Sequence, residues 1–426
     1  MLGDVLLQFV LTPLLLICTF ISIKSSKRYI NPVSVIAIAF FLPMLFATLR
    51  LSLLQSHQWS YETYVAIWFV VGAWVIFPTI VILAKGSPQY DSMQNQFLSS
   101  SSHIVGYRVF SLVVISSYLL SNYIQAHTLI PILNPEIAYK IHTEFPPIFR
   151  LFVRCIPVVA GMAYLAFAAK KKKIDALILI VAILMPLSRL SRIDVILSFV
   201  VLLILFINYP LFRIDKKRLF YVITVLVLLA VTFAELGNLR TNRFGKYQVD
   251  YGKAIRWNSS ITGPSDIFPI LYGYFPLSFE NFDSFVRQNK EKKTYGVMSF
   301  DWFFNGTFKL NRFLNYGGSN SMGSFKPISS AANVPTSLHP FYSDFGAVGI
   351  VIPAFFYMTV WLLFFYKSRH EIKWLLIYAV FTGAFVLSSF QALMTASIIY
   401  HQLILTLFLF FICSKVKREE ITGNRK

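Results

Sequence analysis

Arginine is the residue type that this chain concentrates where chemistry on an anion would need it. In MPLSRLSRIDVIL (185–197) Arg189 and Arg192 stand between two apolar runs. At the centre of a lipid-facing helix each would cost about 2.5–3.5 kcal/mol. Ser191 and Asp194 have the spacing of a capping box opening the second run, which would satisfy the helix end and point free backbone N–H groups at the cavity beside Arg189 and Arg192. A helix amino end beside arginine forks suits an oxyanion or a diphosphate. In ELGNLRTNRFGK, Arg240 and Arg243 are three apart and share a helical face, with Glu235 as an alternative partner and Arg256 following. Arg150 and Arg154 lie four apart, and Arg50 ends an earlier apolar run. Taken singly, such arginines snorkel to lipid head groups. A converging set predicts an anionic ligand.

Titratable groups crowd a second stretch, NVPTSLHPFYSDFGAVGI (333–350), which holds Thr336, His339, Tyr342 and Asp344 before Gly346 and Gly349. These groups suit activation of a hydroxyl by general base catalysis, or the grip on a sugar. The alternative is a helix start, with Asp344 stabilising the macrodipole. YGYFPLSFENFDSF adds Tyr272, Tyr274, Glu280 and Asp283. This combination fits recognition of sugars and fits interfacial anchoring equally well. The seven histidines are scattered, and no metal-ligand spacing, Gly-rich nucleotide loop or G-x-S-x-G elbow occurs. Metal and cofactor are both expected to be absent.

The elements that must position these groups are apolar. The 426 residues are 56% hydrophobic and 14% charged, with a mean hydropathy of +0.62. The pattern predicts an all-α polytopic integral membrane protein of about eleven spans. They fall at 5–23, 32–54, 63–84, 104–125, 148–169, 174–187, 193–208, 219–236, 345–366, 374–390 and 397–413. The net charge of +20 comes mostly from short basic loops, so it gives orientation and no nucleic-acid partner. Lys24, Lys27 and Arg28, Lys170 to Lys173, Arg213 to Arg218, Lys367 to Lys373 and the tail all alternate onto the cytoplasmic face. The organisation expected is spans one to eight over 1–236, a long periplasmic loop over 237–344, and spans nine to eleven with a cytoplasmic tail over 345–426. Residues 1–23 lack a basic amino-terminal region and read as a retained span. Cys18, Cys155 and Cys413 all fall in spans, so no disulfide framework is implied in the loop.

Within the loop, 271–282 and 299–314 are aromatic, too short or polar to span, and read as interfacial or re-entrant helices joined by an exposed turn. The Gly/Ser/Asn-rich stretch from Asn315 to Ser337 reads as a mobile lid or an ordinary linker. The runs 174–187 and 193–208 are shorter than the ~20 residues of a full crossing. The SRLSR turn is therefore expected to lie sunk in a protein-lined cavity.

About eleven spans, an arginine-bearing turn between two short ones, a long outer loop and the ending NVPTSLHPFYSDFGAVGI resemble the bacterial O-antigen or oligosaccharide repeat-unit polymerases (the Wzy type). The Tyr342, Asp344, Phe345, Gly346, Gly349 run is the most telling piece. Some members pair arginine with glycine in two outer loops, and Arg240 and Arg243 lack glycine at that spacing. The resemblance implies an inverting, metal-independent glycosyltransferase with a C-type membrane fold, working at the periplasmic face of the bacterial inner membrane. Its substrates would be undecaprenyl-diphosphate-linked oligosaccharides, and its partners the inner-membrane lipids and a chain-length regulator. Arg154, Arg189, Arg192, Arg240 and Arg243 would neutralise the diphosphate. Asp344, His339 or Glu280 would take the acceptor proton, and Tyr274, Thr336 and Tyr342 would hold sugar. An O-antigen ligase and a lipid-linked oligosaccharide flippase or transporter are the alternatives, with a structural scaffold a third.

Overall fold

The computed structural model describes residues 2–55, 58–86, 101–133, 147–189, 191–208, 231, 251–258, 267–288, 293–307, 326–329 and 332–423. Helix dominates, and among the described residues the sole β-type pairing is an isolated antiparallel bridge between Ser52 and Trp257. We label the helices α1 (Gly3–Ser26), α2 (Pro32–Ala47) and α3 (Tyr61–Lys85), then α4 (Ser101–Ala126), α5 (Ile156–Lys170), α6 (Lys173–Ser188) and α7 (Arg192–Asn208). They continue as α8 (Ile267–Tyr274), α9 (Leu277–Gln288), α10 (Leu338–Gly349), α11 (Val351–Lys367), α12 (Ile372–Val386) and α13 (Ser397–Gly423). Among the described residues three helices are long and apolar enough to cross a membrane: α1, α3, and α4 with its continuation to Leu133. A fourth candidate is the pair α10–α11, bent by 117°. Of the expected eighth span only Val231 is described, and the paired Arg240 and Arg243 lie outside the described residues.

The first three helices share one device. Each carries a π-helical turn, at Leu7–Leu11, Ala37–Phe41 and Gly72–Ile76. Each turn runs directly into Pro13, Pro43 or Pro78. A proline inside a helix lacks its N–H and clashes with the carbonyl four residues back, and a widened turn relieves both.

The chain forms two compact units interleaved in sequence. Unit 1 comprises 1–89, 249–366 and 384–397; unit 2 comprises 90–248, 367–383 and 398–426. In unit 1, α9 is surrounded: Leu277 to Asp283, Phe285 and Val286 are all buried, packed on α2, α3 and α10. The stretch 271–282, expected as an interfacial or re-entrant helix, is thus in its second half enclosed by protein. That stretch breaks at Pro276 into α8 and α9, and the second piece is core. In unit 2, α5 is buried from Ile156 to Ala166 against α6 and α7. Gly161 allows that approach, since a Cβ there would lie 2.7 Å from Leu376 and 2.8 Å from Val201.

Helices α4 and α6 run parallel. Arg108 meets Asp175 near their starts and Asn122 meets Arg189 near their ends, both with an offset of 67 residues. Two rightward crossings separated by one return, as the basic-loop alternation predicts, would have this relation.

Candidate functional site

The arginines of unit 2 gather at the end of the bundle opposite Lys170–Lys173. Arg154 lies in the break between the short helix Pro147–Val153 and α5, Arg189 closes α6, and Arg192 opens α7. Pro186 shapes the turn, because its carbonyl accepts from both the Arg189 N–H (3.3 Å) and the Ser191 N–H (3.0 Å). The Ser191 hydroxyl donates to Asp194 Oδ2 at 2.7 Å, while the Ser191 N–H goes to Pro186, so the two residues meet side chain to side chain and not through the reciprocal backbone bonds of the expected capping box. Asp194 lies within Coulombic range of both Arg189 and Arg154, and Arg154 within range of Arg150 and His401. Arg154 and Arg189 are both half-buried, and the side-chain hydrogen bond of Asp194 is to Ser191.

Arg189 is held in an oriented position. Its Nε donates to Asn122 Oδ1, its Nη2 to the Tyr118 carbonyl at 3.3 Å, and its guanidinium stacks 4.0 Å from the Tyr118 ring. The Gln402 amide donates to the Arg154 carbonyl at 2.7 Å, which ties α13 to the same end. Asn122, Tyr118, His401 and Gln402 escaped the sequence reading. The polar face SxxxSNxxQ of α4, Ser117, Ser121, Asn122 and Gln125, was the available signal. Arg50 belongs to unit 1, where Asp4 takes it at 2.8 Å.

The second candidate region is in unit 1. Here α9 and α10 bring the two predicted sugar-site stretches together: Phe285 packs on His339 (4.1 Å between centroids) and Phe282 on Tyr342 (5.9 Å). The acidic groups in it have fixed partners. Asp344 is fully buried. It accepts from the Thr294 hydroxyl, the Met298 N–H at 3.2 Å and the Ser299 N–H at 2.5 Å. It is not at a helix start, because α10 begins at Leu338. The macrodipole reading is corrected on that ground: the carboxylate clamps the 294–299 turn. Gly346 follows at φ +72°, with Lys293 Nζ 3.0 Å from where a Cβ would stand. The broken helix is thus closed over the same turn.

Tyr342 donates its hydroxyl to Glu62, and Lys293 sits 4.6 Å from its ring. Thr336 Oγ1 accepts from the Leu338 N–H at 3.2 Å, which makes it a local cap. Tyr274 packs edge-on against Phe390, at 5.4 Å. Asp283 accepts from the Ser60 N–H (2.5 Å) and Thr63 hydroxyl (2.8 Å) at the start of α3, and from Arg287 at 2.6 Å. Glu280 is different. It is 7% exposed and takes the Trp59 indole N–H at 2.9 Å. Burial raises its pKa from 4.5 to about 7, with the Trp59 bond opposing. A carboxyl poised near neutrality is what general base work asks for.

Asn281 explains the end of the expected lid. Its amide donates to the Ala332 carbonyl (2.7 Å) and the Val334 carbonyl (3.2 Å) and accepts from the Ile328 N–H at 2.9 Å. The described part of that stretch is therefore stapled down, while 315–325 lie outside the described residues. Among the described residues no group of three or more His, Cys, Asp or Glu could hold a metal. No family model, curated protein or solved structure matches the chain.

Proposed function

We propose that this chain is a polytopic membrane glycosyltransferase of about eleven spans. In this reading it polymerises undecaprenyl-diphosphate-linked oligosaccharide repeat units at the periplasmic face of the bacterial inner membrane. The observation that carries the reading is Arg189, held by Asn122 and the Tyr118 ring at the same end of its bundle as Arg154 and Arg192. A transfer without metal needs fixed positive charge where the leaving diphosphate develops its own. Arg189 is oriented by Asn122 and stacked on Tyr118, so it presents charge without reorganising.

The acceptor hydroxyl attacks the anomeric carbon, the bond to undecaprenyl diphosphate breaks, and the diphosphate leaves with the bonding electron pair. The acceptor proton passes to a base. Asp344, His339 and Glu280, the expected bases, all belong to unit 1. Asp344 is saturated by three donors and His339 is packed on Phe285. Purified protein supplied with a synthetic lipid-linked repeat unit tests the proposal. Chain growth that is lost in Arg189→Ala supports it. Transfer to a lipid A core acceptor without chain growth would point to a ligase instead. Wild-type chain growth in Arg189→Ala would remove the diphosphate role.

A further inference from the structure

Unit 1 carries an apolar groove that the proposed transfer does not use. Its volume is about 440 Å³, and its walls are Ile38, Leu42 and Phe46 of α2 with Phe268, Leu271 and Phe275 of α8 and its end. Ile38, Leu42, Phe46 and Phe268 are exposed, forming an open wall at i, i+4 and i+8 of α2. The phenol of Tyr272 also lines it. Its hydroxyl is occupied by Gln55 Oε1 (2.7 Å), the Phe46 carbonyl (3.3 Å) and the Leu51 N–H (3.1 Å), so only the ring faces the groove. A hydrocarbon chain is the chemistry that such walls take.

One part of the groove wall is fixed by backbone pairing. Leu51 and Trp257 line that part and belong to the bridge between 51–53 and 255–258. The bridge is fixed by Leu53 N–H to the Arg256 carbonyl (3.0 Å) and Asn258 N–H to the Leu51 carbonyl (2.9 Å). Arg256, in the left-handed region at φ +49°, is exposed beside Trp257, and Lys253 is exposed one turn before it. From Phe46, Ile38 lies about 12 Å down the helix axis. An exposed arginine adjoining the lining residue Trp257, and an apolar groove of single-chain width, match an anionic phospholipid.

We propose that unit 1 holds one anionic bilayer phospholipid, with an acyl chain between α2 and α8 and its phosphate at Arg256. The proposal rests on the membrane placement argued above and not on the polymerase activity. Full-length protein is reconstituted into bilayer discs containing phosphatidylglycerol with a photoactivatable group in one acyl chain, or the matched phosphatidylethanolamine, and labelled peptides are mapped. Phosphatidylglycerol should label 38–46 and 268–275 several-fold more than the exposed Leu16 and Phe20 face of α1. Leu271→Trp, which fills the groove, should bring that labelling down to the α1 level. Arg256→Gln should abolish the preference for phosphatidylglycerol.

Equal labelling of groove and α1, or of groove by both lipids, overturns the proposal and leaves the membrane placement standing. Displacement by equimolar undecaprenyl phosphate overturns it in favour of a substrate chain. Absence of label on α1 overturns the placement and the proposal together.

Discussion

The carboxylates of unit 1 and the arginines of unit 2 are both charges set among apolar helices, yet they are arranged in opposite ways. Asp283 and Asp344 each sit at the focus of three donors: Ser60 and Thr63 from a distant segment with Arg287 one turn along the same helix around one, and Thr294, Met298 and Ser299 of a single turn around the other. Their negative charge is consumed in fixing the start of α3 and the turn before α10. Asp175 of unit 2 is held in the same way by Tyr107 and Arg108, but at the other end of that bundle the ratio is inverted. Arg154 and Arg189 both lie within Coulombic range of Asp194, and Arg150 adds charge beside Arg154. A carboxylate surrounded by donors stabilises a fold. Guanidiniums that outnumber a carboxylate hold a field that a further anion can complete.

The sharpest way to break this contrast is to remove charge from unit 2. Arg189→Ala is expected to lower chain growth by about 10²–10³-fold, the usual cost of losing an oriented transition-state donor. Arg189→Lys should restore only part of it, because an ammonium cannot bond Asn122 and the Tyr118 carbonyl while stacking on the Tyr118 ring. Polymer length distributions from purified protein report both.

Glu280 makes the stability of unit 1 depend on pH. Its pKa is raised on folding, from 4.5 to about 7. Folded protein therefore binds more protons than unfolded protein between those values, and stability falls as pH rises through that window. Glu280→Gln keeps an acceptor for Trp59 and removes the buried charge. At pH 8 it should be more stable than wild type by about 3 kcal/mol, and the gap should close as pH falls toward 4.5. Unfolding midpoints across pH measure the effect.

For Asp344 the account predicts a structural loss. In Asp344→Asn the amide nitrogen must face one of three donors, which costs about 1–3 kcal/mol. Proteolysis of the 293–300 turn should accelerate, and residual chain growth should track the folded fraction. Asp283→Ala leaves the Ser60 cap of α3 in place but takes the acceptor from the Ser60 N–H and the Thr63 hydroxyl, a loss of about 1–3 kcal/mol. The Arg287 pair adds little because Arg287 is 47% exposed. Thermal unfolding of the two variants measures both losses.

What the sequence made legible follows from which interactions are local. Runs of apolar residues located α1, α3 and α4 to within a few positions, because length and hydropathy alone define a crossing. The pairing of Ser191 with Asp194 and the shared end of Arg154, Arg189 and Arg192 were readable from spacing and from the alternation of basic loops. The burial of α9 was not. Its sequence, LSFENFDSFVRQ, looks interfacial until Trp59, Ser60 and Thr63, more than two hundred residues earlier, accept its acids into the core. The clamp at Asp344 was equally hidden, since two of its three donors are backbone amides that no side-chain pattern announces. Asn122 and Tyr118 were visible as a polar face in α4, but only the parallel register of α4 with α6 gives that face its arginine.

The central claim is that unit 2, through Arg154 and Arg189, binds the lipid diphosphate. Equilibrium binding of undecaprenyl diphosphate to purified wild type, Arg154→Ala/Arg189→Ala and Asp344→Asn tests it without requiring turnover. The account predicts that the folded Asp344→Asn protein binds as wild type does. The double arginine variant should lose at least about tenfold in affinity, some 1.4 kcal/mol or more. Wild-type affinity in the double arginine variant would contradict it.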